Sequence, residues 1–196
     1  MNEPLEKMTK RHAIRRFQSR QIDEETLNEI LTVGLYAPSA GNNQQSRIVV
    51  CQDGEINEKL GRLSCSMQFE GRDRTVHSLS ADQPSILDDV SITDGFYGAP
   101  TVLTIFTSNN IYSHDDAAFV AANIWHAANF LGVGCCYIGR AEKVFATEYG
   151  MELRKKWGVP DELVPVANVL LGYREGAEPH DKPRREGRII RVMQEE

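Results

Sequence analysis

Three arginines and a histidine fall within seven residues near the start of the chain, in the run Arg11-His12-Ala13-Ile14-Arg15-Arg16-Phe17. Guanidinium groups present planar forks of N–H donors that match the oxygens of a phosphate two at a time. Alone, such a cluster is more often a solvated, salt-bridged face. Three further segments change its meaning. The run Ala37-Pro38-Ser39-Ala40-Gly41-Asn42-Asn43-Gln44-Gln45-Ser46-Arg47 is dense in hydroxyl and amide groups, which can donate to and accept from the edge of a heteroaromatic ring. The run Gly132-Val133-Gly134-Cys135-Cys136-Tyr137-Ile138-Gly139-Arg140 ends an apolar stretch on a glycine, where backbone can approach a ligand closely. Lys182-Pro183-Arg184-Arg185 brings further cations beside a proline. Taken singly, these three are a polar turn, a strand terminator and a solvated tail.

No G-x-x-x-x-G-K-[ST] loop is present, and after Gly132-Val133-Gly134 the third position of a dinucleotide fingerprint is Tyr137. A bound phosphate would therefore be held by basic side chains. Metal chemistry is disfavoured: Cys51, Cys65, Cys135 and Cys136 form no C-x-x-C, and neighbours on a strand point to opposite faces. The same gap excludes a thioredoxin-like role, so the cysteines read as small buried hydrophobes. His12, His77, His114, His126 and His180 show no i, i+4 pair that would set two imidazoles on one helical face. Twenty-eight acidic residues against 22 basic ones give a net charge of −6, which disfavours a general nucleic-acid binder. The charged N-terminus lacks the apolar core of a secretion signal and no run reads as a membrane span, which points to a reducing cytoplasm.

The elements that must position these groups follow from patterning. The length of 196 residues favours one domain over 1–196. Asp23 is an N-cap for an amphipathic helix through Leu27, Ile30, Leu31 and Leu35 that ends near Pro38. Residues 47–51 form a buried strand and 56–63 a helix. Residues 65–97 carry Ser, Asp and Gly with Pro84 and little periodicity, the profile of a variable insertion or lid. A strand follows at 101–106, then a long helix from Asp115 or Asp116, uncharged over 117–134, with Asn123, His126 and Asn129 on one broad face. A strand at 135–138, a helix at 141–157 and a strand at 164–171 complete the core, and Ile189, Ile190 and Val192 can add one more strand. This alternation gives an α/β or α+β sandwich with helices covering a central sheet.

The four segments, in this order over nearly the whole chain, resemble the nitroreductase family of FMN-dependent oxidoreductases. The matching residues are R-H-A-I-R-R-F, A-P-S-A-G-N-N-Q, G-V-G-C-C-Y-I-G, and L-L-G-Y with P-R-R. The resemblance implies an α+β fold with a mainly antiparallel sheet and a homodimer with FMN at the subunit interface. It implies electrons from NADH or NADPH, passed as hydride through flavin N5 to a nitroaromatic, quinone or similar small acceptor. By the same resemblance Arg11, Arg184 and Arg185 are ligands of the FMN phosphate, and His12 and Ala13 line that end. Arg15 falls near the N1 and C2 carbonyl side of the ring, where a fixed cation stabilises the charge that develops on reduction. Pro38, Ser39, Asn42 and Gln44 come from the partner subunit, while Ile138, Gly139 and Arg140 lie against the ring. No side chain is assigned as catalytic, because the cofactor carries the difficult step. Two departures stand out: Ala13 replaces a common serine, and Gln45-Ser46-Arg47 replaces a frequent Pro-Trp pair. Two rivals remain: a same-fold flavoprotein with other chemistry, such as flavin cleavage or dehalogenation, and a flavin-binding protein without turnover.

Overall fold

The computed structural model describes residues 1–71 and 80–192. Its sheet contains β1 (Arg47–Cys51), β2 (Thr101–Ser108), β3 (Gly134–Ile138) and β4 (Leu163–Gly172) in the order β1-β2-β4-β3, every pair antiparallel. Strand direction was open in the composition. The register settles it: Val49 faces Thr104, Leu103 faces Val169, and Cys136 faces Leu170. β2 and β4 are central and covered on both faces, which is why both read as nearly continuous apolar runs. Pro165 is accommodated because the ladder is already interrupted there. Pairing steps from Ile105–Ala167 to Phe106–Pro165 and leaves Val166 as the extra residue of a bulge.

Side-chain alternation divides the core into two layers. On one face Leu103, Ile105, Val169, Leu171 and Cys135 pack against α2 (Glu24–Leu35) and α4 (Ser113–Phe130) through Ile30, Ile124 and Ala128. On the other, Val102, Phe106, Leu170, Cys136 and Ile138 pack against α3 (Gly54–Gln68), α5 (Ala141–Phe145) and α6 (Glu148–Lys156) through Leu60, Val144, Phe145 and Leu153. Adjacent Cys135 and Cys136 thus enter opposite layers, and all four cysteines are buried. Among the described residues no cluster of His, Cys, Asp and Glu could hold a metal ion, and no helix is long and apolar enough to cross a membrane.

Several local expectations need correction. A short helix, α1 (Glu3–Thr9), begins the chain, with Asn2 as N-cap. It buries no residue and so left no apolar period to read. The helix expected at 141–157 is two helices, because Thr147 turns into an N-cap whose hydroxyl accepts from Gly150 N–H at 3.1 Å. α4 ends at Phe130, short of the expected 134. Ile189, Ile190 and Val192 form no strand: they are 79%, 88% and 94% exposed. Of the expected 65–97 insertion, Cys65 and Gln68 complete α3, residues 72–79 lie outside the described residues, and Gln83, Ile86 and Phe96 are buried.

α5 and α6 pack so closely that a Cβ at Gly150 would lie 2.4 Å from the Val144 carbonyl oxygen and 2.5 Å from Phe145 Cα. Helix propensity alone favours alanine over glycine by about 1 kcal/mol. Overpacking against backbone, which cannot swing aside, outweighs it. Gly150→Ala is expected to destabilise the protein by about 2 kcal/mol in urea unfolding, whereas a gain in stability would show that the two helices separate freely.

Candidate functional site

The segment carrying the first arginines is fixed by backbone pairing. Ile14 N–H donates to Cys135 O at 2.9 Å, Gln18 N–H to Tyr173 O at 2.9 Å, and Glu175 N–H to Arg16 O at 2.9 Å. Ile14 and Phe17 are driven into the core between these bonds. The residues between them line a cavity of about 520 Å³, within the usual range for a small-molecule site. Arg11, His12, Ala13 and Arg15 form one side. Ile138, Gly139 and Arg140, from the end of β3, form another, and Lys182 and Arg184 approach from the tail.

Arg11 is the most informative of these groups. Its guanidinium carbon stands 3.7 Å from the Trp125 ring centroid, and its buried Nη1 has no hydrogen-bond partner among the described residues. Burial pushes the Arg11 pKa below the ordinary arginine value, and the charge of Arg184 adds to the effect. A half-buried cation with a buried, unpaired donor asks for an anion. Arg140 is differently employed. Its Nε donates to Ser64 O and Oγ, both at 3.2 Å, and its Nη1 to Gln68 Oε1 at 3.0 Å, which clamps the end of β3 to α3. Cys136 also lines the cavity, but burial pushes its thiol pKa up, against the pull of Arg15, so it remains protonated at neutral pH.

Arg15 is held by a residue that the sequence did not reveal. Gln83 Oε1 accepts from Arg15 N–H at 2.6 Å and from Arg16 N–H at 2.8 Å, while its carbonyl accepts from Arg15 Nη1 at 3.1 Å. Gln83 is only 2% exposed and lines the cavity. Asp88 organises its turn by accepting from Ser80 N–H at 2.9 Å and Ser85 N–H at 2.7 Å. No pattern marks Gln83 in the sequence, since its partners lie 67 and 68 residues away.

Two histidine contacts tie the tail across the cavity. His12 Nε2 is 2.9 Å from Asp181 Oδ1, and Asp82 Oδ2 accepts from His180 N–H at 3.1 Å and lies 2.9 Å from its Nδ1. The hydrogen bond to Asp82, then its charge, holds the His180 pKa above the ordinary histidine value, and the same bond lowers Asp82. The latch is therefore complete below the ordinary histidine value and is lost as pH rises through the raised one; on the acid side it is lost as Asp82 protonates through its lowered value. The His180 ring resonances should titrate above the ordinary value and return to it in Asp82→Asn. An unchanged midpoint in that variant would contradict the pairing.

The chain has relatives among known proteins. A family model described as the nitroreductase family matches residues 8–173. The chain belongs to the nitroreductase family. An Archaeoglobus fulgidus protein with the provisional name NADH dehydrogenase/NAD(P)H nitroreductase is 29% identical over 178 residues, covering 88% of this chain and 86% of that protein. The NADPH-flavin oxidoreductase of Vibrio harveyi is 25% identical over 193 residues, covering 97% of this chain and 73% of that protein. A nitroreductase from Desulfitobacterium hafniense, solved with bound FMN, superimposes with a TM-score of 0.80 at 25% identity, covering 98% of this chain and 100% of that one. The nitroreductase α+β fold, with its antiparallel sheet, is thereby established.

Within this nitroreductase-family chain the cavity gathers eight of the residues singled out from sequence and leaves five elsewhere. Arg185 is exposed and does not line it. Pro38, Ser39, Asn42 and Gln44 lie in and around a single 3₁₀ turn, Ala40–Asn42, away from the cavity of their own chain. That loop is nevertheless shaped. Gln44 N–H donates to Ser39 Oγ at 3.0 Å, Gln44 Nε2 to Asn42 Oδ1 at 3.2 Å, and Ala40 N–H to buried Asp116 at 2.9 Å. Gly41, Asn42 and Gln44 all have positive φ, of 60°, 54° and 50°. Glycine takes this conformation freely, so the strain in this exposed loop sits at Asn42 and Gln44, of the kind found at binding surfaces.

Proposed function

We propose that this chain is an FMN-dependent NAD(P)H oxidoreductase that reduces a nitroaromatic, quinone or similar small acceptor. The observation that carries this reading is Arg11, a half-buried cation whose buried Nη1 has no partner among the described residues, in a cavity shared with Arg15, Lys182 and Arg184. The residues fit the cofactor. Arg11 and Arg184 would hold the phosphate, with His12 and Ala13 at the same end. Arg15, braced by Gln83, would sit beside the electron-accepting ring, and Ile138 and Gly139 would supply a close-approaching backbone edge. Arg140, tied to α3, would shape the wall rather than donate freely. Bound FMN supplies the two-electron exchange between nicotinamide and acceptor. The chain contributes electrostatics and position: the cation of Arg15 lowers the energy of an electron-rich ring, and the cavity walls orient the reactants.

The reading extends to a homodimer with two such sites. Pro38, Ser39, Asn42 and Gln44 would reach the partner's cavity, which would account for a pre-shaped loop that does not line the arginine cavity of its own chain. Exposed Leu35, Tyr36, Phe119, Phe130 and Leu131 on and beside α2 and α4 supply apolar surface that a second copy would cover. Four buried cysteines suit a reducing compartment.

The test is the visible absorption spectrum of the purified protein before and after anaerobic NADH or NADPH. A yellow protein bleached by either nicotinamide supports the reading, while a yellow protein that stays oxidised favours flavin binding without turnover. Arg15→Ala should weaken FMN retention and slow flavin reduction at least about tenfold, the effect of roughly 1.4 kcal/mol. Unchanged stopped-flow reduction with unchanged FMN content would remove Arg15 from this role.

A further inference from the structure

Tyr97 has a left-handed backbone conformation, with φ of 57°, directly before Gly98, with φ of 66°. Bulky side chains rarely adopt this conformation, and such residues cluster where a ligand is handled. The turn is over-determined. Asp94 Oδ1 accepts from Phe96 N–H and Oδ2 from Gly98 N–H, both at 2.7 Å, so the carboxylate brackets Tyr97, and Phe96 is fully buried. Gly95 N–H donates to Gly61 O at 2.9 Å. A Cβ at Gly61 would lie 1.7 Å from Asp94 Oδ1, so α3 provides a bare seat for the turn.

The consequence is a half-buried phenol on the cavity wall, near the charges of Arg15 and Arg140. Its oxygen accepts from Ile86 N–H at 3.3 Å. Among the described residues nothing accepts its proton. Burial holds the phenol above the ordinary tyrosine value, so it stays a donor at neutral pH. A donor whose oxygen is anchored, and whose O–H has no partner beside a ligand cavity, is built to meet an acceptor atom on the ligand.

We propose that Tyr97 is the hydrogen-bond donor that recognises the electron acceptor, presenting its O–H to a nitro or carbonyl oxygen in the cavity. The inference rests on the flavoprotein reading and adds a residue that sorts acceptors by whether they carry such an oxygen. The strained turn sets Tyr97 at the cavity wall, packed against the core layer that holds Phe96, with its hydroxyl beside Ile86.

The test compares nitrobenzene with chlorobenzene, of similar ring size but without the nitro oxygens, on the oxidised holoenzyme without reductant. Binding is read from the perturbation of the flavin spectrum. Tyr97→Phe should weaken nitrobenzene about tenfold, while chlorobenzene binding and FMN affinity stay within about twofold. Equal behaviour of the two probes overturns the proposal. So does a fall in FMN affinity, which would give the phenol to the cofactor. The control measurements also show that the variant is folded. A wild-type protein that takes up no FMN overturns the flavoprotein reading and this inference with it; a yellow wild type, with Tyr97→Phe binding nitrobenzene equally well, overturns Tyr97 alone.

Discussion

Arg11→Ala is expected to weaken FMN binding about a hundredfold, measured by flavin fluorescence on titrating the apoprotein. The argument is local. Hydrogen bonds to charged groups contribute about 1.5–3 kcal/mol each, and a guanidinium fork on a phosphate loses about 2.7 kcal/mol, or two factors of ten, even if only part of its gross interaction is net. The apoprotein should respond quite differently. Removing Arg11 gives up its stacking on Trp125, roughly 0.5–2 kcal/mol, but also relieves a half-buried cation whose buried Nη1 has no partner among the described residues. These terms oppose each other, so unfolding of the apoprotein should change by less than about 1 kcal/mol. A large loss of affinity without a loss of stability distinguishes a ligand-holding arginine from a structural one. An affinity within threefold of wild type would remove Arg11 from the phosphate site.

Gln83→Leu should cost about 3 kcal/mol of stability and slow flavin reduction as well. Leucine keeps the bulk but removes the acceptor of two backbone N–H groups, on Arg15 and Arg16, at a position only 2% exposed. Each orphaned donor costs about 1–3 kcal/mol, because water cannot replace the lost oxygen. The Arg15 guanidinium then loses the fixed backbone that aims it. Gln83→Glu separates the two effects. Its carboxylate accepts both N–H groups, so most of the stability should return in urea unfolding. It also places a negative charge beside Arg15, so reduction by NADH or NADPH should remain slow. A Gln83→Leu protein within 1 kcal/mol of wild type would show that the turn is not what holds Arg15.

The cavity side of the site was largely legible because its residues are contiguous. Arg11, His12, Ala13 and Arg15 sit in one segment and Ile138, Gly139 and Arg140 in another, and both segments are punctuated by apolar residues that pair with the sheet. Gln83 and Tyr97 were not legible. A glutamine in an aperiodic stretch carries no sign of its partners, and a positive φ at tyrosine contradicts local preference, so only the Asp94 turn and its seat on Gly61 make it stable. The extra helix break at Thr147 is similar in kind. Threonine before Glu148 is a capping signal, but the apolar pattern on either side ran through it.

What the sequence by itself determined were the apolar periods of the two central strands and of α2 and α4, and the presence of four cationic or polar segments in a fixed order. Those follow from burial, which acts on each residue wherever its partners lie. Only the tertiary structure decided that β2 and β4 stand side by side, that Arg11 is half-buried with no partner for its Nη1 among the described residues, and that residues 80–97 fold onto Arg15 instead of hanging free. These are properties of long-range pairing: hydrogen bonds and desolvation depend on which distant groups meet, and no local pattern encodes that.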